Sequence, residues 1–585
     1  MKIRLFVAIF MTAAVLFGVL ACVHTPERAE PIYKVRAENF ESGLPRPQPS
    51  GVQVNSSRFI GDQVEIDPAE VVGYGSLPTT VTQPFAGRPR DLSLMEVVTE
   101  TLANNRTIKI QDYSLRIAEY DIPVSKAIYD LLITGTVANT RTEEQSSTSR
   151  FGALPLNSAR TRNASLGLQQ LLPSGAVLTM GYEVIRQWSQ TFTIDPATFQ
   201  PGSTEDLFYQ HVARLGLRQP LLQGFGPRVT NAGIRISTLQ RQAAAAGFQN
   251  TVERKLLQAL QFYWELIGAV ESHKVAVISY AQATDLLRVN RAKYEAEVLP
   301  RTDVLQAEAA VADRREQLIQ ARRAVRDLED QLKRQLFLRP DRPQWERQIR
   351  PSQRIGWRQM ELDLEDAIQQ ARQLRPEIRQ ARSVIEQAKT RLTVSRNKLL
   401  PELNLFGEIN SNGLGDGFDE GYQNANDASY TGYTVGLEVS YPLQNRRARY
   451  QLRQSEVSLA QAEEQLLDLE DQITLELRQA ERALRTARER IEVTQSRVRS
   501  EQAKLDAELK RYDVGMSTAF EVLTFQDDLA MAQNQHIRAV IDYNKAMLNL
   551  ERARGTLLDT YGITIEGPDL DPSAASTWMP LGMDG

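Results

Sequence analysis

The sequence predicts an α+β membrane protein in which one unit, a half-helix followed by β-strands and a long coiled-coil helical hairpin, occurs twice. Three observations carry this expectation. Apolar residues recur at every seventh position over long stretches, a period that holds one apolar stripe against a partner helix. Between these stretches lie segments in which apolar and polar residues alternate strictly, as they do along strands. The half-helices, the alternating segments and the helical tips each appear twice and in the same order.

At the N-terminus, Lys2 and Arg4 precede an apolar run from Leu5 to Ala21 that stops at Cys22. A basic start, an apolar core and small residues before the break predict a signal peptide over residues 1–21. The run Val19-Leu20-Ala21-Cys22 resembles a bacterial lipobox, whose cysteine is acylated and becomes the mature N-terminus. In such signals a residue other than aspartate after the cysteine, here Val23, favours delivery to the outer membrane. Cys22 is the only cysteine among 585 residues, so an intramolecular disulfide is excluded. Nothing further along approaches the ~18 to 20 consecutive apolar residues of a membrane-spanning helix. A charged fraction of 24% and a mean hydropathy of -0.37 describe a largely water-facing chain. Its net charge of -4 is small for the length and gives no indication of a nucleic-acid partner. Crossing a membrane after export would therefore require a closed β-barrel. Residues 22–90 are rich in proline and lack helical period, which predicts a lipid-anchored, extended and partly disordered leader.

Repeat 1 is expected over residues 91–338. Ser93 and Glu96 form a capping-box pattern ahead of a short helix through Leu102, and a second amphipathic helix covers Thr107 to Tyr129. The counterpart of that helix, Glu377 to Leu399, lies at an offset of 270. Strands are expected at Ile133–Thr140, Ala164–Leu168, Leu178–Val184 and Tyr209–Leu217. The following hairpin carries Leu256, Tyr263, Val270 and Val277 on one arm, and Val304, Val311, Leu318, Val325 and Leu332 on the other. Its tip lies near 295–302. Residues 339–362, with three prolines and Trp345 and Trp357, are an irregular equatorial connector.

Repeat 2 is expected over residues 363–563. Beyond Pro401, Leu403 to Ile409 alternate; a Gly/Asp/Asn-rich loop then covers Ser411 to about Ser429, and Tyr433 to Tyr441 alternate again. The second hairpin has Leu452, Leu459, Leu466, Ile473, Ala480 and Ala487 on its first arm, with a second seam from Leu477 to Leu505. No proline interrupts Arg447–Tyr512, so this arm reads as one helix about 100 Å long at 1.5 Å per residue. The return arm holds Val522, Leu529, His536, Tyr543, Leu550 and Leu557, and the tip lies near 513–520. Tyr294–Leu305 matches Tyr512–Leu523 at an offset of 218. Residues 564–585 are expected to be a disordered tail.

The duplicated plan, the Tyr512-Asp-Val-Gly515 tip with Glu521-Val-Leu523, and the Gln219-Pro-Leu-Leu-Gln-Gly-Phe-Gly226 junction resemble the TolC-like outer-membrane efflux factor family, over about Asp91 to Ile563. The resemblance implies a homotrimer whose strands close one barrel in the outer membrane of a Gram-negative bacterium. It implies that the helices form a hollow α-helical barrel through the periplasm. Conduction would be passive, with energy supplied by an inner-membrane pump or ABC exporter through a periplasmic adaptor protein. No catalytic residue, cofactor or metal is implied. His24, His211, His273 and His536 stand apart in the sequence without metal-ligand spacing. Gly224-Phe-Gly226 lacks the third glycine of a dinucleotide loop and reads as a turn into a helix.

The resemblance also places a pore constriction beside the second tip. The matching positions are Glu521, a carboxylate, and Thr524, which is not, so one ring of three carboxylates is expected; Asp303 adds charge by the internal repeat. Where relatives carry a locking arginine, this chain has Ser517. Adaptor docking is expected at Val514-Gly515-Met516 and Glu297-Val298-Leu299. The two tips differ because Glu297 stands where the other has Gly515, with Pro300 to enforce the bend. A periplasm-spanning structural coiled-coil lipoprotein that conducts nothing would use the same helices, but would not need two sets of barrel-like strands.

The strand regions differ in length. From Leu131 to Pro220 is 89 residues, and from Pro401 to Pro442 is 41. The family plan gives four strands per chain and twelve per trimer. The extra residues contain Ala164–Leu171 and Ala176–Trp188 around the turn Leu172-Pro-Ser-Gly175, enough for six strands per chain and eighteen per trimer. Alternatively, Arg141–Gln210 forms a long outer hairpin or cap over a twelve-stranded barrel.

Overall fold

Where polar and apolar residues alternate the chain is extended, and where they recur at every seventh residue it is helical. The computed structural model describes residues 34–37, 90–145, 156–194, 201–336, 345, 347–358, 360, 362–428 and 430–566. The expected signal peptide, Cys22, most of the leader and the tail beyond Glu566 lie outside the described residues.

In chain order, strands β1 (Lys34–Ala37) and β2 (Arg90–Leu92) precede helices α1 (Leu94–Asn104) and α2 (Arg106–Lys126). Ser93 caps α1 with the full capping box, its hydroxyl accepting from the Glu96 amide while the Glu96 carboxylate accepts from the Ser93 amide. Four strands follow: β3 (Leu132–Gln145), β4 (Leu156–Leu171), β5 (Val177–Ile194) and β6 (Pro201–Pro220). Then come α3 (Pro227–Thr230), α4 (Ala232–Glu295), α5 (Arg301–Gln335), β7 (Ile349–Pro351), α6 (Leu364–Leu374) and α7 (Pro376–Asn397). The chain closes with β8 (Glu402–Gly415), α8 (Phe418–Asn426), β9 (Tyr430–Ser440), α9 (Arg446–Asp513), α10 (Ala519–Arg554), α11 (Leu557–Thr560) and β10 (Ile563–Glu566). No described helix is long and apolar enough to cross a membrane.

The chain divides into two compact units. One comprises residues 117–241 and 383–463, together with Met1–Glu30, which are not described. Its centre is a single antiparallel sheet in the order β3-β4-β5-β6-β8-β9. This corrects the four-strand family plan, and with it the outer hairpin or cap: β4 and β5 are full members of the sheet. The turn between them, Leu172–Ala176, sits at the end of the sheet where the helices attach. There the Gly226 amide donates to the Ser174 carbonyl (2.9 Å), and a Cβ on Gly175, whose φ is 88°, would lie 2.4 Å from the Gly224 carbonyl. A second correction concerns the expected loop from Ser411 to Ser429. β8 runs on to Gly415, and α8 occupies most of the rest.

The other unit comprises residues 31–116, 242–382 and 464–585. Two short sheets tie distant segments together within it. β1 pairs antiparallel with β10, so Ile563–Glu566 is a strand where a tail was expected from 564, and β2 pairs in parallel with β7 from the connector. Val252, Leu256, Leu260 and Tyr263 of α4 bury against Val97 and Val98 of α1 and against Leu557 and Ile563. Ile473, Leu477, Leu484 and Ile491 of α9 bury against Val540, Tyr543 and Leu550 of α10 and Ile368 of α6. Leu256, Tyr263, Ile473, Leu477, Leu484, Ile491, Tyr543, Leu550 and Leu557 among them are heptad positions, and a fully buried aliphatic side chain contributes about 1.5–3 kcal/mol. Arg375, at the C-terminal end of α6, is 4% exposed and binds Glu377 (3.0 Å), Glu476 (2.6 Å) and the Ala553 carbonyl (3.3 Å). Arg552 reaches the same two carboxylates, Glu377 at 3.6 Å and Glu476 at 3.3 Å, so removing Arg375 would leave them with one of their two shared cations.

Candidate functional site

The strand register sorts side chains onto two unlike faces. One row crosses all six strands as Ile133, Leu168, Met180, Leu215, Ile409 and Tyr433, each directly opposite the next. The adjacent row on the other face is Thr134, Gly167, Gly181, Arg214, Asn410 and Gly432, and the row before it is Leu132, Gln169, Thr179, Gly216, Glu408 and Thr434. At this level one face is therefore an apolar band and the other is polar and small, because successive residues of a strand point oppositely. On the polar face Arg214 pairs with Glu183 at 3.2 Å, and Arg218 pairs with Glu438. The apolar face is open to solvent in one chain: Val137 is 86% exposed and Tyr433 84%. Within the described sheet, β3 and β9 each have one backbone edge without a strand beside it.

Helix α8 lies against the apolar face at the strand ends distant from the helices. Glycine permits this approach. A Cβ on Gly413 would meet the Gly421 carbonyl at 2.1 Å, and one on Gly421 would meet the His211 ring at 2.8 Å. His211 is fully buried there. It shares a hydrogen bond with the Tyr182 hydroxyl (2.8 Å) and packs edge-on to Phe418 at 4.7 Å, with Tyr422 at 6.2 Å. The sequence shows His211 as an isolated histidine; the fold places it in an aromatic box.

In the helical unit, the two tips are the same turn. At the first, the Glu297 amide donates to the Tyr294 carbonyl (3.0 Å) and the Val298 amide to the Lys293 carbonyl (2.8 Å). At the second, Gly515 donates to Tyr512 (3.2 Å) and Met516 to Arg511 (2.8 Å), both pairs 218 residues further on. This double bond closes a helix end on a left-handed residue, and φ is 59° at Glu297 and 78° at Gly515. The bend in the first tip is therefore made by Glu297 itself, not enforced by Pro300, which caps the start of α5. Val298, Val514 and Met516 are exposed, while Leu299 is half-buried. Glu521 is the third residue of α10 and closes a capping box: its carboxylate accepts from the Thr518 amide (3.0 Å) and the Ser517 hydroxyl (2.9 Å). The Thr518 amide and then the Ser517 hydroxyl hold its pKa below the ordinary carboxylate range. The Ser517 hydroxyl also lies within hydrogen-bonding reach of Glu508, its single proton serving one carboxylate at a time. Thr524 spends its hydroxyl on the Phe520 carbonyl (2.8 Å). Asp303 is half-buried; its backbone carbonyl accepts from Asn290, which in turn accepts from the Tyr512 hydroxyl.

Residues 367–556 match the family model described as Outer membrane efflux protein. The match covers about a third of the chain and shows a likeness to that family over this segment. It runs from α6 to the residue after the α10 C-cap, and so holds the whole second hairpin, Glu521 and Gly515 included. No curated protein matches by sequence. Among solved structures, the chain is similar to the Campylobacter jejuni CmeC outer membrane channel, with 14% identity and a TM-score of 0.58 over 82% of this chain and 88% of that one. It is similar to the outer-membrane channel OprN, at 15% identity and a TM-score of 0.58 over 83% and 98%, respectively. A third similar structure is the outer membrane protein VceC from Vibrio cholerae, at 16% identity and a TM-score of 0.56 over 79% and 96%. At these identities the likeness is one of fold, shared with these outer-membrane channel structures.

Within the efflux-protein segment the tip residues are adjacent in the chain and were legible from the repeat. The contacts of α8 were not. Its sequence, Phe-Asp-Glu-Gly-Tyr-Gln-Asn-Ala-Asn, has the composition of a loop, and Gly413 and Gly421, which seat it, are separated from His211 by some 200 residues.

Proposed function

We propose that three copies of the chain form the outer-membrane channel of a tripartite efflux or type I secretion system of a Gram-negative bacterium, conducting passively. The observation that carries this reading is the sheet with an apolar band across all six strands on one face, a polar opposite face and two unpaired edges. In lipid, every backbone polar group needs an internal partner, so such a sheet must close on itself or on copies. Six strands are fewer than the eight or so that enclose a filled interior, so one chain alone cannot surround water. Three six-stranded sheets give an eighteen-stranded wall, wider than the twelve of the family plan. The polar face with its Arg214–Glu183 and Arg218–Glu438 pairs would line the passage, and the apolar face would meet lipid. The helices would continue the duct through the periplasm to an adaptor protein and an inner-membrane pump or ABC exporter. Acylated Cys22 would anchor the N-terminus in the same membrane, and Cys22→Ala is expected to abolish labelling by palmitate.

The deciding experiment is conductance of the purified full-length chain in planar lipid bilayers. Stepwise ion-conducting channels are expected; inserted protein without conductance would leave the chain a structural lipoprotein. At the periplasmic end, Glu521 would contribute one ring of three carboxylates. Glu521→Gln keeps an oxygen for the capping box, so the variant tests the charge alone. Cation selectivity and block by divalent cations are expected to fall several-fold, and unchanged values would move the constriction elsewhere. Adaptor docking would use the Glu297–Leu299 and Val514–Met516 tips unequally, so exchanging the two tip sequences is expected to stop export.

A further inference from the structure

We propose that the apolar face carries, just beyond its lipid-facing band and on the side away from the helices, a binding surface for the phosphorylated head group of an outer-leaflet glycolipid. The orientation rests on the channel reading above; the patch itself rests on the register. Arg162 stands directly opposite Arg186, and Arg141 directly opposite Arg160. All four share the face of Met180 and Val184, further along the same strands. Like charges directly opposite each other destabilise a sheet, so two such pairs in adjacent rows call for an anion above them.

The surroundings sharpen this. Arg160 lies over the Trp188 ring and Arg186 over the Tyr209 ring, each at 5.8 Å, and in each case the ring belongs to the residue directly across the strand pair. A ring beneath a guanidinium fixes its plane without neutralising it. Arg141 is paired with Glu143, and the Arg162 Nε donates to Asn139 Oδ1 at 3.3 Å. Among the described residues no carboxylate pairs with Arg160, Arg162 or Arg186, and the buried Arg186 Nε has no hydrogen-bond partner. On the opposite face, Arg214 and Arg218 are each matched by a glutamate. The unmatched arginines are thus confined to the side that would face lipid. Their level, where apolar rows give way to Trp and Tyr, is the level of an aromatic girdle at a membrane surface. A guanidinium fork matches phosphate oxygens two at a time, while Leu166, Leu168 and Met180 beneath would receive acyl chains. A lipid satisfies both halves of this surface, whereas free phosphate satisfies one.

The test uses the purified full-length chain in detergent, with bisphosphorylated lipid A, its phosphate-free counterpart and inorganic phosphate as probes. Binding is read by native mass spectrometry at several salt concentrations. The bisphosphorylated form is expected to bind at least ten-fold more tightly than the phosphate-free form, with the preference shrinking as salt rises. The combined variant R160Q/R162Q/R186Q is expected to lose the preference, and R160K/R162K/R186K to keep most of it. Equal binding of the two lipids, or an unchanged preference in the glutamine variant, overturns the proposal. So does displacement of the lipid by millimolar inorganic phosphate, which would mark a site for the free anion. Bilayer conductance of the same preparations separates the two readings. A wild-type chain that prefers the phosphorylated lipid without conducting would remove the channel and leave the lipid surface standing. A chain that conducts without the preference would do the reverse.

Discussion

Glu297 and Gly515 occupy one place in two copies of one turn, and the backbone treats them alike while the chemistry does not. A left-handed conformation costs a non-glycine residue about 1–2 kcal/mol. Glu297→Gly is therefore expected to stabilise the first tip by up to about 1 kcal/mol, after the larger loss of chain entropy that glycine brings. A Cβ at Gly515 would meet nothing within 4 Å, so Gly515→Ala is expected to destabilise by about 1 kcal/mol through backbone strain alone. Urea midpoints followed by circular dichroism would check both signs. Glu551 offers a different test. Burial pushes its carboxyl up to about 8, against some relief from Arg554, and its Oε2 has no hydrogen-bond partner. Below pH ~4.5 the folded and unfolded chains both hold the proton, and the contribution to stability is complete. As pH rises towards 8 the unfolded chain releases the proton and the folded chain retains it, so stability is lost across that window. Glu551→Gln cannot ionise and escapes the loss. Its melting temperature relative to the natural chain is expected to climb between pH 4.5 and 8, by an amount equivalent to a few kcal/mol. A difference independent of pH would contradict the burial argument.

At the level of elements, legibility followed the chemistry of the faces. Heptads and alternation were readable wherever one side of an element is apolar, as along Leu178, Met180, Tyr182 and Val184 of β5. The outer ends of β3 and β4 carry Arg141, Glu143, Arg160 and Arg162 on one face and threonines and Ala159 on the other, so no apolar alternation announced them. The strands there are carried by pairing with longer neighbours, a tertiary cause that local pattern does not contain. The capping boxes at Ser93 and Thr518 are the opposite case, in that one was read from a local spacing and both follow from one. Helix α8 depends on close approach rather than on its own sequence. Gly413→Val is therefore expected to leave the six strands in place and to dislodge α8, since any Cβ would lie 2.1 Å from the Gly421 carbonyl. Hydrogen exchange would show it: faster exchange over 418–426 with β6 and β8 unchanged. Unaltered exchange across α8 would mean that the helix can shift and keep its seat.

For the molecule as a whole, the edges of the sheet decide what it can build. A cysteine at Val137 on β3, combined one at a time with cysteines at Tyr433, Val435 and Leu437 on β9, tests whether the free edges of neighbouring copies meet. One register is expected to give a disulfide-linked trimer on a non-reducing gel. Monomer at every register would rule out closure through these strands. The hairpin of β4 and β5 has a further consequence. β3 runs away from the helices and β9 runs back towards them, so the edges that would join copies point in opposite directions. Inserting two strands preserves that opposition, whereas inserting one would reverse an edge and leave the seam parallel. The circumference of such a wall can therefore change only in even steps per chain, one hairpin at a time. A β-hairpin grafted beside the turn at Leu172–Ala176 alters the bore without asking anything new of the seams, which makes width a heritable quantity separable from assembly.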